Sequence, residues 1–141
     1  MQDPRVRKIV FTGSTEIGTQ IMAKCAPNVK RVTLELGGKS PAIIYDDANI
    51  EDAAERIIYG KLLNGCQTCI APDYILIQEK NINACINALK SATQKMYGQP
   101  GSMTTAINEE QKIRWKNLIT NATDEGAQAT PLLETGTHPL I

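Results

Sequence analysis

Apolar residues in the first third of the chain follow strand spacing, then helical spacing, then strand spacing again. Arg7–Thr12 is a short β-rich run closed by Gly13, and Arg31–Leu36 alternates apolar and polar residues with a period of two. Between them, Thr15–Ala26 places apolar side chains at helical intervals. The pattern therefore predicts a strand, a glycine turn, a helix and a second strand.

The remainder of the chain continues the alternation after the glycine pair Gly37-Gly38. Strand spacing is found at Pro41–Tyr45 and Asp73–Gln78, and helical spacing at Ile50–Leu63, Asn81–Tyr97 and Glu109–Thr123. Strands that alternate with helices predict an α/β fold with a parallel sheet. Pro139-Leu140-Ile141 has the character of a new apolar segment at the end of the sequence, so we expect a chain that is cut at both ends.

The composition is that of an ordinary globular protein with no preference for a charged partner. The chain has 141 residues, 42% of them hydrophobic, and its 15 basic and 15 acidic residues cancel. Without net charge, no global field favours nucleic acid or an anionic membrane surface. Aromatic residues are only 4% of the chain, so Phe11 and Trp115 stand as isolated large anchors in an aliphatic core.

Neither end of the chain nor its cysteine content indicates export. Met1–Lys8 is charged and lacks the apolar stretch of a secretory signal, and the longest apolar runs have the length of a strand. They are far short of the roughly 20 residues that span a bilayer. The four cysteines are unevenly spaced, unlike those of a disulfide-rich secreted scaffold. We expect a cytoplasmic protein without a membrane span.

The first candidate for chemistry is the glycine turn between the first strand and the first helix. Free backbone amides at the positive end of a helix can bind a phosphate. The turn lacks the spacing of a dinucleotide fingerprint or a P-loop, and Ser and Thr are also the preferred helix caps. A phosphate site and a plain capped helix start both remain open. The residues concerned are Gly13, Ser14, Thr15, Glu16, Ile17 and Gly18.

The second candidate is the CxxC pair formed by Cys66 and Cys69, for which three readings compete. It could be a redox dithiol, half of a metal site, or a nucleophile beside an unrelated thiol. The other metal ligands available are Cys25, Cys85 and His138, which show no ligand spacing, so we predict no metal site. Cys25 and Cys85 fall on apolar helix faces and are expected to be buried.

The third candidate is Glu35, a carboxylate at the end of the second strand and just before Gly37-Gly38. In an open α/β sheet, ligands bind at the carboxyl ends of the strands, and residues without side chains let a ligand approach closely. The alternation of the strand also explains Glu35 as a solvent-facing residue of the polar face. Its position permits a catalytic role without requiring one.

Taken together, three motifs in this order resemble the aldehyde dehydrogenase superfamily. They are FTGSTEIG at 11–18, LELGGKSP at 34–41 and GCQTCIAPDY at 65–74. The separation of 34 residues between Glu35 and Cys69 agrees with the family pattern, and the resemblance runs from about Val6 to about Tyr97. The APDY stretch is similar to the class-3-like and coniferyl aldehyde dehydrogenase branch.

The resemblance implies a role for each motif. Cys69 is implied to be the nucleophile that attacks the aldehyde and passes through a thiohemiacetal and a thioester, and Glu35 the base for the thiol, the hydrolytic water or both. The turn from Gly13 to Gly18 is implied to bind the phosphates of NAD or NADP, and Leu36 to contact the nicotinamide side. Residues 1–36 would then end a Rossmann-like cofactor domain and residues 37–141 begin the catalytic domain.

The sequence also departs from the family in ways that bear on function. Cys66 stands where the family usually has a small residue, which adds a second thiol near Cys69. Family members are several times longer and hold the adenosine half of the cofactor upstream, so we expect the isolated chain to be inactive and to form a homo-oligomer. The competing readings are an inert truncated fragment and, with less support, a dithiol oxidoreductase.

Overall fold

The computed structural model of the chain describes residues 3–99 and 101–133. The chain forms two compact units, the first ending at Lys39 and the second beginning at Ser40. Both units place helices between or after parallel strands, so the predicted α/β class is confirmed. His138 and the apolar segment at 139–141 lie outside the described residues. The division into a cofactor domain at 1–36 and a catalytic domain at 37–141 stays a prediction.

The first unit is a strand–helix–strand arrangement with its two strands side by side. Strand β1 (Lys8–Gly13) and strand β2 (Arg31–Leu36) run parallel, with Lys8 opposite Arg31 and Gly13 opposite Leu36. Helix α1 (Thr15–Cys25) connects them through a short 3-10 turn. Parallel neighbours require such a crossover, and the predicted order is confirmed.

Helix α1 buries a narrower face than the apolar spacing predicts. Gly18, Ile21 and Cys25 are buried, whereas Ile17 and Met22 remain 43% and 54% exposed. The buried residues follow one stripe at intervals of three and four, which is the face a helix can turn towards a two-stranded sheet. Among residues 3–39 of the first unit, only this stripe is buried.

In its described residues, the second unit contains a second parallel strand pair and three α-helices. Strand β3 (Ser40–Ile43) pairs with strand β4 (Pro72–Leu76), and helix α2 (Ile50–Leu62) connects them. Helix α3 (Ile82–Tyr97) and helix α4 (Glu109–Asp124) follow. The strands are shorter than predicted, because Tyr45 and Gln78 lie outside the hydrogen-bonded ladder.

The core of the second unit lies between α2 and α3, which pack against each other. Ala54 and Ile58 of α2 and Cys85 and Ala92 of α3 are each no more than 3% exposed. Ala54, Ile58 and Cys85 lie at helically spaced apolar positions, as the sequence predicts. Ile82, at another such position of α3, is 42% exposed, because it lies at the first residue of the helix. Helix α2 begins at Ile50, as predicted, and Asn49 caps it with a side chain that accepts a hydrogen bond from the Asp52 N–H at 2.8 Å.

Helix α4 forms where it was predicted, but its apolar side chains are not buried. Ile113, Leu118 and Ile119 are all more than half exposed, and no residue of the helix is buried. Local sequence is sufficient to form the helix, since Asn108 caps it and Glu109 and Glu110 lie in its first turn. Among the described helices, none has both the length and the apolar character needed to cross a membrane.

Candidate functional site

The glycine turn is built as a capped helix start that faces solvent. Ser14 accepts a hydrogen bond at its Oγ from the Ile17 N–H at 3.3 Å, and its carbonyl accepts one from the Gly18 N–H at 2.9 Å. Helical geometry leaves the first-turn N–H groups of Thr15 and Glu16 without carbonyl partners within the helix. All residues from Gly13 to Ile17 are exposed. The turn therefore holds two outward amides at the positive end of an 11-residue helix.

These residues fit a phosphate group, with one opposing charge. The Ser14 hydroxyl accepts from the backbone and keeps its own O–H free to donate. A side chain at Gly13 would bring its Cβ to 2.5 Å from Cζ of Phe11, so the Phe11 ring would have to move to accommodate it. The Glu16 carboxylate lies in the first turn of α1, where it stabilises the helix and disfavours a second anion.

Glu35 and Leu36 lie beside this turn in the same unit. In the register of the parallel pair, Glu35 is opposite Thr12 and Leu36 is opposite Gly13. Glu35 is exposed, as the alternation of the strand predicts. Leu36 is half-buried, and its Cδ2 would lie 3.0 Å from a Cβ at Gly18. The first unit thus brings together the turn, the carboxylate and Leu36 at the carboxyl ends of β1 and β2.

Cys69 lies in the second unit, in a turn between helix α2 and strand β4. A 3-10 segment (Leu63–Cys66) ends the helix, and three consecutive residues within it have left-handed backbones: Asn64 at φ 53°, Gly65 at φ 59° and Cys66 at φ 66°. Such conformations are uncommon for residues other than glycine and asparagine. They reverse the chain, and the turn at Thr68–Ala71 then leads it into β4.

The four thiols of the chain have different environments, and all are free. Cys25 and Cys85 are 1% and 3% exposed, which confirms their predicted burial, and removal from water raises the pKa of the Cys85 thiol. Cys66 is half-buried, and desolvation raises the pKa of its thiol while the charge of Lys61 opposes the change. Cys69 is exposed.

Gln67, which the sequence analysis did not single out, makes more hydrogen bonds than its neighbours in this loop. Its Nε2 donates to the carbonyl of Asn64 at 3.0 Å and to the carbonyl of Thr105 at 3.1 Å. Its Oε1 accepts from the Ile107 N–H at 2.8 Å. The partners at 105 and 107 are about forty positions away, so no local pattern could have identified them. We call residues 63–69 the thiol loop and residues 104–107 the support segment.

Within residues 3–99 and 101–133, the structure does not support the interpretation of the CxxC pair as half of a metal site. In that part of the chain, no three or more histidine, cysteine or acidic side chains are grouped as metal ligands would be. His138, one of the ligands considered from the sequence, lies outside it.

Comparison with known proteins decides the family. The model of the aldehyde dehydrogenase family matches residues 1–136. The chain belongs to the aldehyde dehydrogenase family. The resemblance carried by the three motifs is therefore confirmed, and the match extends well beyond Tyr97 on the carboxyl side.

Individual relatives of the aldehyde dehydrogenase family cover most of this chain. A probable coniferyl aldehyde dehydrogenase of Pseudomonas aeruginosa is 40% identical over 131 residues, which are 91% of this chain and 28% of the relative. A dimeric NADP-preferring aldehyde dehydrogenase of Rattus norvegicus is 40% identical over 121 residues, 83% of this chain and 27% of its own length. The chain thus spans little more than a quarter of the curated relatives it matches.

Solved structures of aldehyde dehydrogenases match the fold as well. Succinate-semialdehyde dehydrogenase from Burkholderia pseudomallei aligns with a TM-score of 0.86 and 35% identity over 98% of this chain and 29% of its own. Aldehyde dehydrogenase C of Pseudomonas syringae, solved as a mutant with NAD⁺ and octanal, aligns with a TM-score of 0.81 and 28% identity over 89% of this chain and 27% of its own. Both likenesses cover the two described units.

Proposed function

We propose that this chain supplies the nucleophile and the base of an NAD(P)-dependent aldehyde dehydrogenase that oxidises an aldehyde to a carboxylic acid. The observation that carries the proposal is the exposure of Cys69, a free thiol on a loop of a chain that belongs to this family. A nucleophile must reach its substrate, and burial excludes Cys25 and Cys85 from that role. The names of the relatives share an aldehyde as substrate, and the proposal takes that common element.

In the proposed reaction, Cys69 reacts as a thiolate with the carbonyl carbon of the aldehyde. A bond forms between sulfur and that carbon as the π bond of the carbonyl breaks, and the oxygen takes a proton from water or from the protonated base to become the hydroxyl of a thiohemiacetal. The carbon then loses a hydride and the hydroxyl a proton, which leaves a thioester on Cys69. NAD⁺ or NADP⁺, when bound, accepts the hydride. Water attacks the thioester carbon, the carbon–sulfur bond breaks, and the acid leaves while the thiol is restored.

Glu35 is proposed as the base that takes the thiol proton or the proton of the attacking water. It is the penultimate residue of β2, and it is exposed. Its exposure supports the assignment, because a base must reach the proton it takes.

The turn from Gly13 to Gly18 is proposed to hold the cofactor phosphates, with Leu36 towards the nicotinamide. The outward amides of Thr15 and Glu16 and the hydroxyl of Ser14 are the donors available to a phosphate there. The chain spans little more than a quarter of its relatives, so we infer that these 141 residues alone turn over no aldehyde.

A labelling experiment on the 141-residue chain tests the assignment of Cys69 and Glu35. Limited treatment of the reduced, folded chain with iodoacetamide, read by peptide mass spectrometry, should modify Cys69 before Cys66, Cys85 and Cys25. Glu35→Gln should lower the Cys69 rate between about pH 6 and 9, because the carboxylate that accepts the proton is gone. Glu51→Gln, in the exposed first turn of α2, is the matched control and should leave the rate unchanged.

The proposal fails if Cys25 or Cys85 is modified before Cys69 while the chain is folded. An unchanged Cys69 rate in Glu35→Gln would remove the proposed base. In a parallel assay, aldehyde-dependent reduction of NAD⁺ or NADP⁺ by the chain should not exceed that of Cys69→Ala. Turnover that Cys69→Ala abolishes would overturn the inference that the chain is inactive by itself.

A further inference from the structure

The amide of Gln67 lies in the sequence between the two thiols and connects their loop to a distant segment. Its two donated bonds reach one carbonyl of the thiol loop, at Asn64, and one of the support segment, at Thr105. Its oxygen accepts the N–H of Ile107. The Asn64 carbonyl also accepts the backbone N–H of Gln67 at 3.2 Å, so the bonds that only the side chain supplies are those to Thr105 and Ile107. A primary amide can donate to the one and accept from the other.

The thiol loop needs such a connection because its backbone is unfavourable by itself. Asn64, Gly65 and Cys66 are all left-handed, a conformation that costs free energy at Cys66 in particular. The support segment also packs closely, since a Cβ at Gly65 would lie 2.3 Å from the Thr104 carbonyl oxygen. Ala106, between the two hydrogen-bonded residues, is buried. Gln67 therefore joins a strained turn to a segment that is held in place.

We propose that Gln67 is a positioning residue that holds the thiol loop so that Cys66 stays withdrawn, which leaves Cys69 as the accessible thiol of the pair. The chain direction through Cys66, Gln67 and Cys69 depends on the left-handed turn, and the turn depends on the hydrogen bonds of Gln67. Cys66 is half-buried beside this amide, whereas Cys69, two residues after it, is exposed. This role rests on the proposed function in one respect, which is that the accessible thiol, Cys69, is the one that reacts with aldehyde.

Replacement of Gln67 by methionine tests the proposal, because Gln67→Met keeps the length of the side chain and removes all three hydrogen bonds. Gln94→Met, at an exposed position on α3, is the matched control. The alkylation rates of all four cysteines are measured in the folded chain. In Gln67→Met, the Cys66 rate should rise about fivefold, the factor expected from the loss of about one net hydrogen bond. The Cys69 rate should change less than about twofold, since that thiol is already exposed.

The buried thiols separate positioning from general stability. Cys25 and Cys85 should keep their slow rates in Gln67→Met if only the thiol loop is released. If they accelerate together with Cys66, the residue merely stabilises the fold and the positioning role is overturned. A ratio of Cys66 to Cys69 rates within about twofold of the parent chain also overturns it.

A second variant keeps the test decisive if Gln67→Met does not fold. Gln67→Glu retains an acceptor for the Ile107 N–H but places oxygen opposite the carbonyls of Asn64 and Thr105. The Cys66 rate should rise in this variant, while hydrogen exchange at the Ile107 amide stays slow. Fast exchange at Ile107 with an unchanged Cys66 rate contradicts the proposal. Labelling order does not depend on turnover, so the role of Gln67 can fail while Cys69 remains the nucleophile, and the reverse.

Discussion

At the scale of single residues, two thiols three positions apart differ in their contact with water. Cys66 is half-buried and left-handed, and Cys69 is exposed. Desolvation disfavours the thiolate of Cys66 and raises its pKa, and the positive charge of Lys61 favours the thiolate and lowers it. Burial is the larger of the two effects. Cys66 is therefore kept protonated to higher pH, which limits its competition with Cys69 for an electrophile.

The raised pKa of Cys66 makes both the stability of the fold and the alkylation rate of this thiol depend on pH. Because the folded value exceeds the unfolded one, the group favours the folded state below the unfolded thiol pKa, and this contribution is lost as the pH rises through the folded pKa. In the urea-unfolded chain, the midpoint of Cys66 alkylation against pH should lie near the ordinary thiol value of about 8.5. In the folded chain, the midpoint should lie above that of the unfolded chain. Rates are read by peptide mass spectrometry.

Lys61→Met provides the control for this pH dependence. It removes the one charge that opposes the effect of burial, so the midpoint for Cys66 should move to still higher pH. Lys90→Met, on the exposed surface of α3, should leave it in place. A folded midpoint at or below the unfolded one would contradict the burial of Cys66.

At the scale of secondary-structure elements, the end of helix α2 decides where the thiol loop goes. Gly60 lies inside the helix, where a Cβ would make ordinary contact with the ring of Pro72 at 3.4 Å. Gly65 lies just after the helix with φ 59°, and a Cβ there would meet the Thr104 carbonyl oxygen at 2.3 Å. The backbone geometry permits a side chain at position 60, whereas at position 65 it requires glycine.

Alanine at these two glycines should therefore have opposite effects on stability. Gly60→Ala should raise the free energy of unfolding by up to about 1 kcal/mol, because alanine is the better helix former. Gly65→Ala should lower it by about 2 kcal/mol or more, because the side chain is both strained and overpacked against backbone. Urea unfolding followed by circular dichroism measures both. Equal effects of the two changes would show that the thiol loop does not pack against the support segment as described.

At the scale of the whole molecule, much apolar surface remains exposed in each unit. Val10 in β1, Ile43 in β3 and Ile119 in α4 are 64%, 69% and 55% exposed. Each of the two sheets has only two strands, so each strand has one side without a strand partner in the described part of the chain. Unpaired edges and exposed apolar faces favour association.

We therefore expect the 141-residue chain to form dimers or larger species. Light scattering coupled to size exclusion at high micromolar concentration should give a mass of at least twice 15.4 kDa. Val10→Lys, which places a charge on the exposed face of β1, should shift the population towards monomer. A sharp monomer peak for the parent chain would contradict the expectation.

The sequence by itself determined the order of elements and the family. Local rules sufficed for β2 at Arg31–Leu36 and for the start of α2 at Asn49, because alternation and capping act between residues close in the chain. The motifs around Glu35 and Cys69 also consist of neighbouring residues, so the sequence alone was sufficient to identify the family. The burial of Cys25 and Cys85 followed from their helical spacing.

Only the tertiary structure decided which apolar faces are buried and how the thiol loop is held. Helix α4 has an apolar stripe, yet burial requires a surface to cover it, and spacing along one helix carries no information about that surface. Gln67 depends on Thr105 and Ile107, about forty positions away, so its role follows from the folding of the second unit. The same distance explains Gly65, whose necessity comes from the Thr104 carbonyl as well as from its own backbone. Interactions between segments distant in sequence form only when the chain folds, so the pattern of residues along the chain does not reveal them.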